Sequence, residues 1–275
     1  MKQKGIILVI VLWVLFFLSV SALTLGFRNR INIKLRSLRN EELRMFLLAK
    51  EGISHLILML AEDAPDFDAL DENWAKDFSL QKDEGLLLCK VVDEDRFLNI
   101  NTAPQELLNN IGALFPEVTA EHIEIINKKR PFNIKKEVLD ITGIGPDVFY
   151  GNPGVGKTGI HELITVFSDG KLNINTASEE TLSLVPQITE SNVEAILDKR
   201  KNAPFEDNEM LSEELSLLGL TPAQVSSLIK FVKVNSSVFR IYVSADSSRK
   251  HISKKVELVL KREKDQFRVL LYKEN

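Results

Sequence analysis

From Ile6 to Phe27 the chain reads IILVIVLWVLFFLSVSALTLGF, 22 residues without a charge. At about 1.5 Å per helical residue this run extends about 33 Å, enough to cross a bilayer core of about 30 Å. Beyond it apolar residues recur at Ile31, Leu35, Leu38, Leu43, Phe46, Leu47, Ile53, Leu56, Ile57 and Leu60. That is the spacing of a helix with one apolar face. One helix from about Ile6 to Ala61 is expected, apolar all round in its first half and striped in its second. It should break at AEDAPD, where Pro65 disfavours helix in the preceding residue. A cleaved secretory signal is the alternative, but its apolar core needs only about 7 to 15 residues and a small-residue cleavage site. Here the run is longer and the helical pattern continues past it.

The pattern then changes. GLLLCKVVDED, from Gly85 to Asp95, reads as a strand. Near the C-terminus SVFRIYVSADSS, KKVELVLKRE and QFRVLLYKE alternate apolar and polar positions and are rich in strand-favouring residues, which suits an antiparallel meander. Strands flanking about 135 residues of helical pattern argue for a helical unit inserted into a sheet.

Within that middle region a repeat is visible. The pentapeptide NINTA starts at Asn99 and again at Asn173, in FLNINTAPQELLNNI and KLNINTASEETLSLV. Each copy begins with a strand-like apolar pair and runs into a helical pattern. Thr102 and Thr176 are the expected N-caps, with Glu106 and Glu180 in the first turn to suit the helix dipole. A second helix follows each, ending in basic residues and an aromatic, AEHIEIINKKRPF and VEAILDKRKNAPF. Two copies of a small helical module are implied.

Composition adds little until it is resolved along the chain. Hydrophobic residues make up 44%, and 35 basic against 39 acidic residues give a net charge of -4, so no bulk attraction to nucleic acid or anionic lipid is expected. The single Cys89 cannot form an internal disulfide. Lys2 and Lys4 precede the apolar run, whereas Arg28, Arg30, Lys34, Arg36 and Arg39 follow it. Taken alone, the positive-inside rule would leave the bulk of the chain in the cytoplasm.

Gly151 to Thr158, GNPGVGKT, fits the phosphate-loop pattern at Gly151, Gly156, Lys157 and Thr158. A working loop of this kind joins a buried parallel strand to a helix. Here TGIGPDVFY precedes it and Gly159 follows, so a connector between the modules is the expectation and no nucleotide is implied. The four His are scattered, HExxH and Gly-x-Ser-x-Gly patterns are lacking, and no catalytic residue is proposed.

The modules resemble helix-hairpin-helix or SAM-like domains, some of which bind DNA through a Gly-rich hairpin. Only ITGIGPDVF keeps such glycines, at Gly143 and Gly145. From Asn99 to Asn235 there are 12 Lys and Arg against 19 Asp and Glu, a net of -7, which suits phosphate neutralisation poorly. A membrane-tethered DNA receptor of the competence type remains as the rival reading.

MKQKG followed by IILVIVLWVLFFL resembles the N-terminus of type IV pilin-like proteins. The resemblance implies that a prepilin peptidase cuts between Gly5 and Ile6 and that the new N-terminus is methylated. Most such subunits carry Glu as the fifth residue after the cut; this chain has Ile10. Without that carboxylate it has nothing to offer the amine of a subunit above, which suggests the tip of a filament. Ile10 also fits a plain membrane anchor. With LDENWAKDFSL, VVDEDRFLNINTA and DGKLNINTA in this order, the chain resembles the K-type minor pseudopilins of type II secretion systems (general secretion pathway protein K).

That resemblance implies an α+β fold: a long N-terminal transmembrane pilin-type helix, a small antiparallel sheet and a large all-α insertion. The expected division is 1–5 leader, 6–62 helix, 63–98 first part of the pilin-like core, 99–160 and 161–235 helical modules, and 236–275 C-terminal strands. The implied protein is non-enzymatic and single-pass in the inner membrane, with its bulk in the periplasm. Its expected partners are other minor pseudopilins, the pseudopilus and the peptidase, with nucleic acid not expected. Leu35, Leu38 and Phe46 are the expected helix-packing stripe. No cofactor is required, although family members are reported to bind calcium in the insert; here Glu206, Asp207 and Glu209 are the candidate ligands.

Overall fold

The computed structural model describes residues 2–63, 66–83, 85–152, 154, 156–264 and 266–274. Helix α1 (Lys2–Glu62) is continuous and starts within the expected leader. Pro65, the expected helix breaker, lies outside the described residues. From Ile7 onward α1 contains a window long and apolar enough to cross a membrane, and none of that window is buried. The helix enters the body of the protein at Glu41, from which one face, Met45, Leu48, Ala49, Leu56 and Leu60, is buried.

Two strands follow, β1 (Phe78–Gln81) and β2 (Gly85–Asp93). The insert then begins with β3 (Leu98–Asn99), α2 (Gln105–Leu114), α3 (Ala120–Lys129), α4 (Lys136–Thr142), α5 (Pro146–Tyr150) and β4 (Ile164–Thr165). It continues with β5 (Leu172–Asn173), α6 (Glu179–Leu182), α7 (Glu190–Asn202), α8 (Leu211–Leu217), α9 (Pro222–Phe231) and β6 (Val232–Lys233). The chain ends with β7 (Val238–Ser247), β8 (Ser253–Glu263) and β9 (Gln266–Glu274).

The long strands form one antiparallel sheet in the order β1-β2-β7-β8-β9. Its central pair brackets the insert: β2 runs against β7 from Gly85↔Ser247 to Asp93↔Phe239. Alternation explains the faces. Leu87, Cys89 and Val91 of β2, Phe239, Ile241, Val243 and Ala245 of β7, and Val256, Leu258 and Leu260 of β8 point into one core against α1 and Trp74. The Trp74 ring meets Phe239 edge-on at 5.2 Å.

The insert has its own core, which is continuous through both modules from Leu98 to Val234. Each module is closed by a two-residue parallel pair, Leu98↔Ile164 and Asn99↔Thr165 in the first, Leu172↔Val232 and Asn173↔Lys233 in the second. By hydrogen bonding, Ile164–Thr165 therefore belongs with the first unit. The expected caps are displaced. Helix α2 starts after Pro104, with no side-chain cap, and α6 starts after Ser178, whose hydroxyl accepts from Thr181 N. Thr102 and Thr176 stand too early to cap, and Thr176 is drawn instead into the seam with the sheet, as described below.

One glycine is required at the start of β2, at the end of the β2/β7 pair far from the insert. A Cβ on Gly85 would lie 2.2 Å from the backbone oxygen of Asp246, a contact no side-chain rearrangement relieves. Gly85→Ala should therefore force β2 from β7 and destabilise the protein by about 1–3 kcal/mol, the usual range for overpacking. Chemical denaturation of the two proteins measures this, and equal midpoints would refute it.

Candidate functional site

The processing junction expected at Gly5 and Ile6 lies inside the first turns of α1. Ile10, where the pilin resemblance implies Glu, is exposed on the part of that helix that precedes the body. Of the expected packing stripe, Leu35 is exposed at 46%, while Leu38 and Phe46 are half-buried at the margin of the face that meets the sheet. Leu43, Leu47 and Leu58 are also exposed, so the outward side of α1 keeps apolar groups all along its length.

Where the insert joins the sheet, three consecutive acids leave β2, and all three are buried: Asp93, Glu94 and Asp95. Each is tied to a different segment. Asp93 accepts from the Thr176 hydroxyl at 2.5 Å, the Ser236 hydroxyl at 2.6 Å, the Asn173 amide at 3.3 Å and Asp95 N at 2.8 Å. Glu94 accepts from the Thr165 hydroxyl and pairs with Arg240, which also reaches Glu257. Asp95 pairs with Lys233 at 2.6 Å and accepts from Ser237 N at 2.6 Å, while Lys233 also meets Asp169 at 2.5 Å. The exit strand of the sheet is thereby clamped to both modules and to the returning strand.

The NINTA copies have the same geometry. The first Asn of each accepts from the backbone N–H of the second, Asn99 from Asn101 and Asn173 from Asn175, both at 2.9 Å. The second Asn clamps the backbone of the distant aromatic: Asn101 accepts from Phe132 N at 2.7 Å and donates to Phe132 O at 2.9 Å. Asn175 does both to Phe205 at 2.8 Å. A side-chain amide thus imitates a strand partner, which satisfies buried backbone groups.

Burial dominates the electrostatics of this seam. It pushes Asp93 up to about 7, helped by the neighbouring Asp95 charge and opposed by its donors. Asp68, bonded to Ser236 N and Arg262, is likewise pushed up to about 7 by burial. Burial works against the Lys233 charge, but Asp95 and Asp169 together hold it above its ordinary value.

The phosphate-like loop is a closed hairpin. Asn152 and Lys157 exchange backbone hydrogen bonds at 2.8 and 3.0 Å, so the Lys157 N–H points inward, and its ammonium lies 3.4 Å from Glu117. A 3-10 turn, Ile160–Glu162, follows. Cβ atoms on Gly151 or Gly159 would each lie within 2.5 Å of backbone across the neck. Pro153 and Val155 lie outside the described residues.

Gly143 is left-handed, with φ 77°, at the end of α4, and Gly145 precedes α5. In the second module Gln187 takes the left-handed turn, with φ 67°. There Thr189 and Asn192 form a capping box, as Thr119 and His122 do in the first module. At α3 and α7 the helix-start amides that a phosphate would need are thus partly taken by the chain itself, whereas α5, after the glycine pair, has no side-chain cap.

Glu206, Asp207 and Glu209 are exposed around a depression of 720 Å³ that Asp66 and Asn235 also line. Asp207 accepts from Glu209 N at 2.7 Å. A second acidic group was not singled out in the sequence: Asp63, Asp68 and Glu72 bring oxygens within 4.8 Å of one another. Its oxygen-only donors suit a hard cation, but Arg262 already bonds Asp63 and Asp68, and Ala69 N and the Trp74 indole bond Glu72.

A helix-hairpin-helix motif model matches residues 168–233, the second module. No curated protein matches the chain by sequence. Among solved structures, a chain of the GspK-GspI-GspJ complex of the type 2 secretion system from enterotoxigenic Escherichia coli is similar, with a TM-score of 0.62 and 15% identity. The likeness covers 88% of this chain and 99% of that one, and it is a likeness of fold.

The raised Asp93 has a consequence for stability. Folded, it holds its proton up to about pH 7, whereas the unfolded chain releases it near the ordinary 3.8. Its contribution is therefore greatest at the acid end and is lost as pH rises through 7. In melts from about pH 5 to about pH 8, Asp93→Asn should flatten the wild-type decline in melting temperature; parallel profiles would refute this.

Proposed function

We propose that this chain is a minor pseudopilin of a type II secretion system, of the K type, and acts as a non-enzymatic assembly component. The observation that carries the reading is architectural. A pilin-like helix packs on an antiparallel sheet, with a two-module helical unit spliced between paired strands, and the likeness extends over 99% of a chain from a complex of such subunits. In this reading α1 anchors the protein in the inner membrane with the bulk in the periplasm. Prepilin peptidase removes residues 1–5, and Ile6 becomes the methylated N-terminus.

A tip position follows from two features. The insert is too bulky to stack within a shaft, and Ile10 supplies no carboxylate for a subunit above. Partners equivalent to GspI and GspJ would pack on the apolar outward side of α1. Against the rival DNA receptor stand the insert's net charge of -7 and, in the second module, the capped start of α7, although the helix-hairpin-helix match to that module keeps the reading in view.

Replacing Gly5 with Val in cells that carry the secretion system tests the proposal. The leader should remain, mass spectrometry should find no methylated Ile6, and secretion should stop. Normal trimming with normal secretion would end the processing claim.

Calcium binding belongs to the same reading, and two oxygen-rich places compete for it. Added calcium should raise the melting temperature; Asp207→Asn should abolish the rise if the exposed loop binds, and Glu72→Gln if the inner group does. No rise in the wild type would remove the metal from the reading.

A further inference from the structure

The acidic total of the chain hides a strongly basic end. Residues 1–40 contain Lys2, Lys4, Arg28, Arg30, Lys34, Arg36 and Arg39 and no Asp or Glu; the first acid is Glu41. All five basic residues after the apolar run are exposed, and Arg28, Arg30 and Lys34 stand on helix that precedes the first contact with the body at Ser37. Among the described residues, none of the five makes an ion pair or a side-chain hydrogen bond.

Their placement is ordered. With 3.6 residues per turn, Ile31, Leu35 and Leu38 fall within about 60° of one another, with Arg28 and Arg39 on one side and Arg30 and Lys34 on the other. This is an apolar stripe with cationic margins. Arg28 and Arg30 follow the uncharged run by about 2 to 5 Å along the axis, within the headgroup layer. Side chains on a helix lean toward its N-terminus, so Lys34 and Arg36 reach back toward the same layer.

The underside of the globular body continues the charge. The turn between β7 and β8 docks on α1 through Lys250, whose ammonium donates to the Ser37 backbone oxygen at 2.7 Å and its hydroxyl at 2.6 Å. Arg249 and Lys250 join Arg36 and Arg44 around a hollow of 390 Å³. The acid there is Glu41, which accepts from the Ser247 hydroxyl and lies 3.9 Å from Arg44. Positive groups thus extend from the end of the span to the base of the body.

We infer that the collar of Arg28, Arg30, Lys34 and Arg36 binds the phosphate headgroups of anionic phospholipids in the membrane that α1 crosses. The inference rests on the reading of α1 as a membrane helix. It also gives a physical use to residues that contradict the positive-inside rule. Bound headgroups would fix the height of the body above the bilayer and resist withdrawal of the subunit from it.

The full chain is placed in vesicles of phosphatidylcholine alone and of an equimolar mixture with phosphatidylglycerol. After release in mild detergent, native mass spectrometry counts the retained lipids. The wild type should be enriched in phosphatidylglycerol, and Arg28→Gln and Arg30→Gln should each lower that enrichment about fivefold. Lys128→Gln, on the distant insert, should leave it unchanged. The effect of Arg39→Gln should be smaller, because it stands more than a screening length of about 8 Å beyond the span.

Retention of both lipids in the supplied ratio would overturn the inference, as would a double Arg28→Gln/Arg30→Gln variant that matches the wild type. Displacement of the lipid by inorganic phosphate at equal concentration would also overturn it, in favour of a free-anion site. Failure to enter even the neutral vesicles would instead remove the membrane span, and the collar with it.

Discussion

The fold depends on the three buried carboxylates at the end of β2. A sheet interrupted between two neighbouring strands has no covalent reason to keep a large insert in one orientation. Asp93, Glu94 and Asp95 supply the reason by taking partners from both modules and from β7. The buried ion pairs among them, Glu94 with Arg240 and Asp95 with Lys233, contribute little to net stability, but the loss of one partner is severe. Their effect is to make one docking arrangement far better than its neighbours.

That constraint links the two cores. The apolar contacts inside the sheet and inside the insert are separate clusters, and neither alone sets the angle between them. The polar seam does so, through atoms that have few other acceptors. Asn173 shows the economy of the arrangement. Its oxygen closes the NINTA turn, while its amide reaches Asp68 O, Asp93 and Ser236. The same residue therefore shapes the second module and fastens it.

Much of this was legible in the sequence where a short-range pattern repeats. The length of α1, the strand character of β2 and of the C-terminal meander, and the two NINTA modules all follow from periodicity. What escaped depends on distant partners or on small departures. Strand β1 is four residues at the sheet edge, mostly exposed, too short for alternation to register. Thr102 and Thr176 look like caps because Thr favours caps, yet each helix starts later, and Thr176 is claimed by Asp93. The acid triplet itself is visible, but its partners lie across the insert, beyond any local rule. The phosphate-like loop has the reverse lesson: all its fixed residues are present, and the chain uses them to close a hairpin.

The register of β2 against β7 sets a condition on the insert. Asp93 and Phe239 are cross-strand neighbours, about 5 Å apart, so the insert's two ends must leave and return side by side. The parallel pairs that close each module bring their own ends together in the same way. A chain with adjoining ends can be added to a hairpin as a branch is grafted to a stem, without disturbing the wood beneath. The sheet could close over the gap with a short turn, and the size of what it carries is then free to vary.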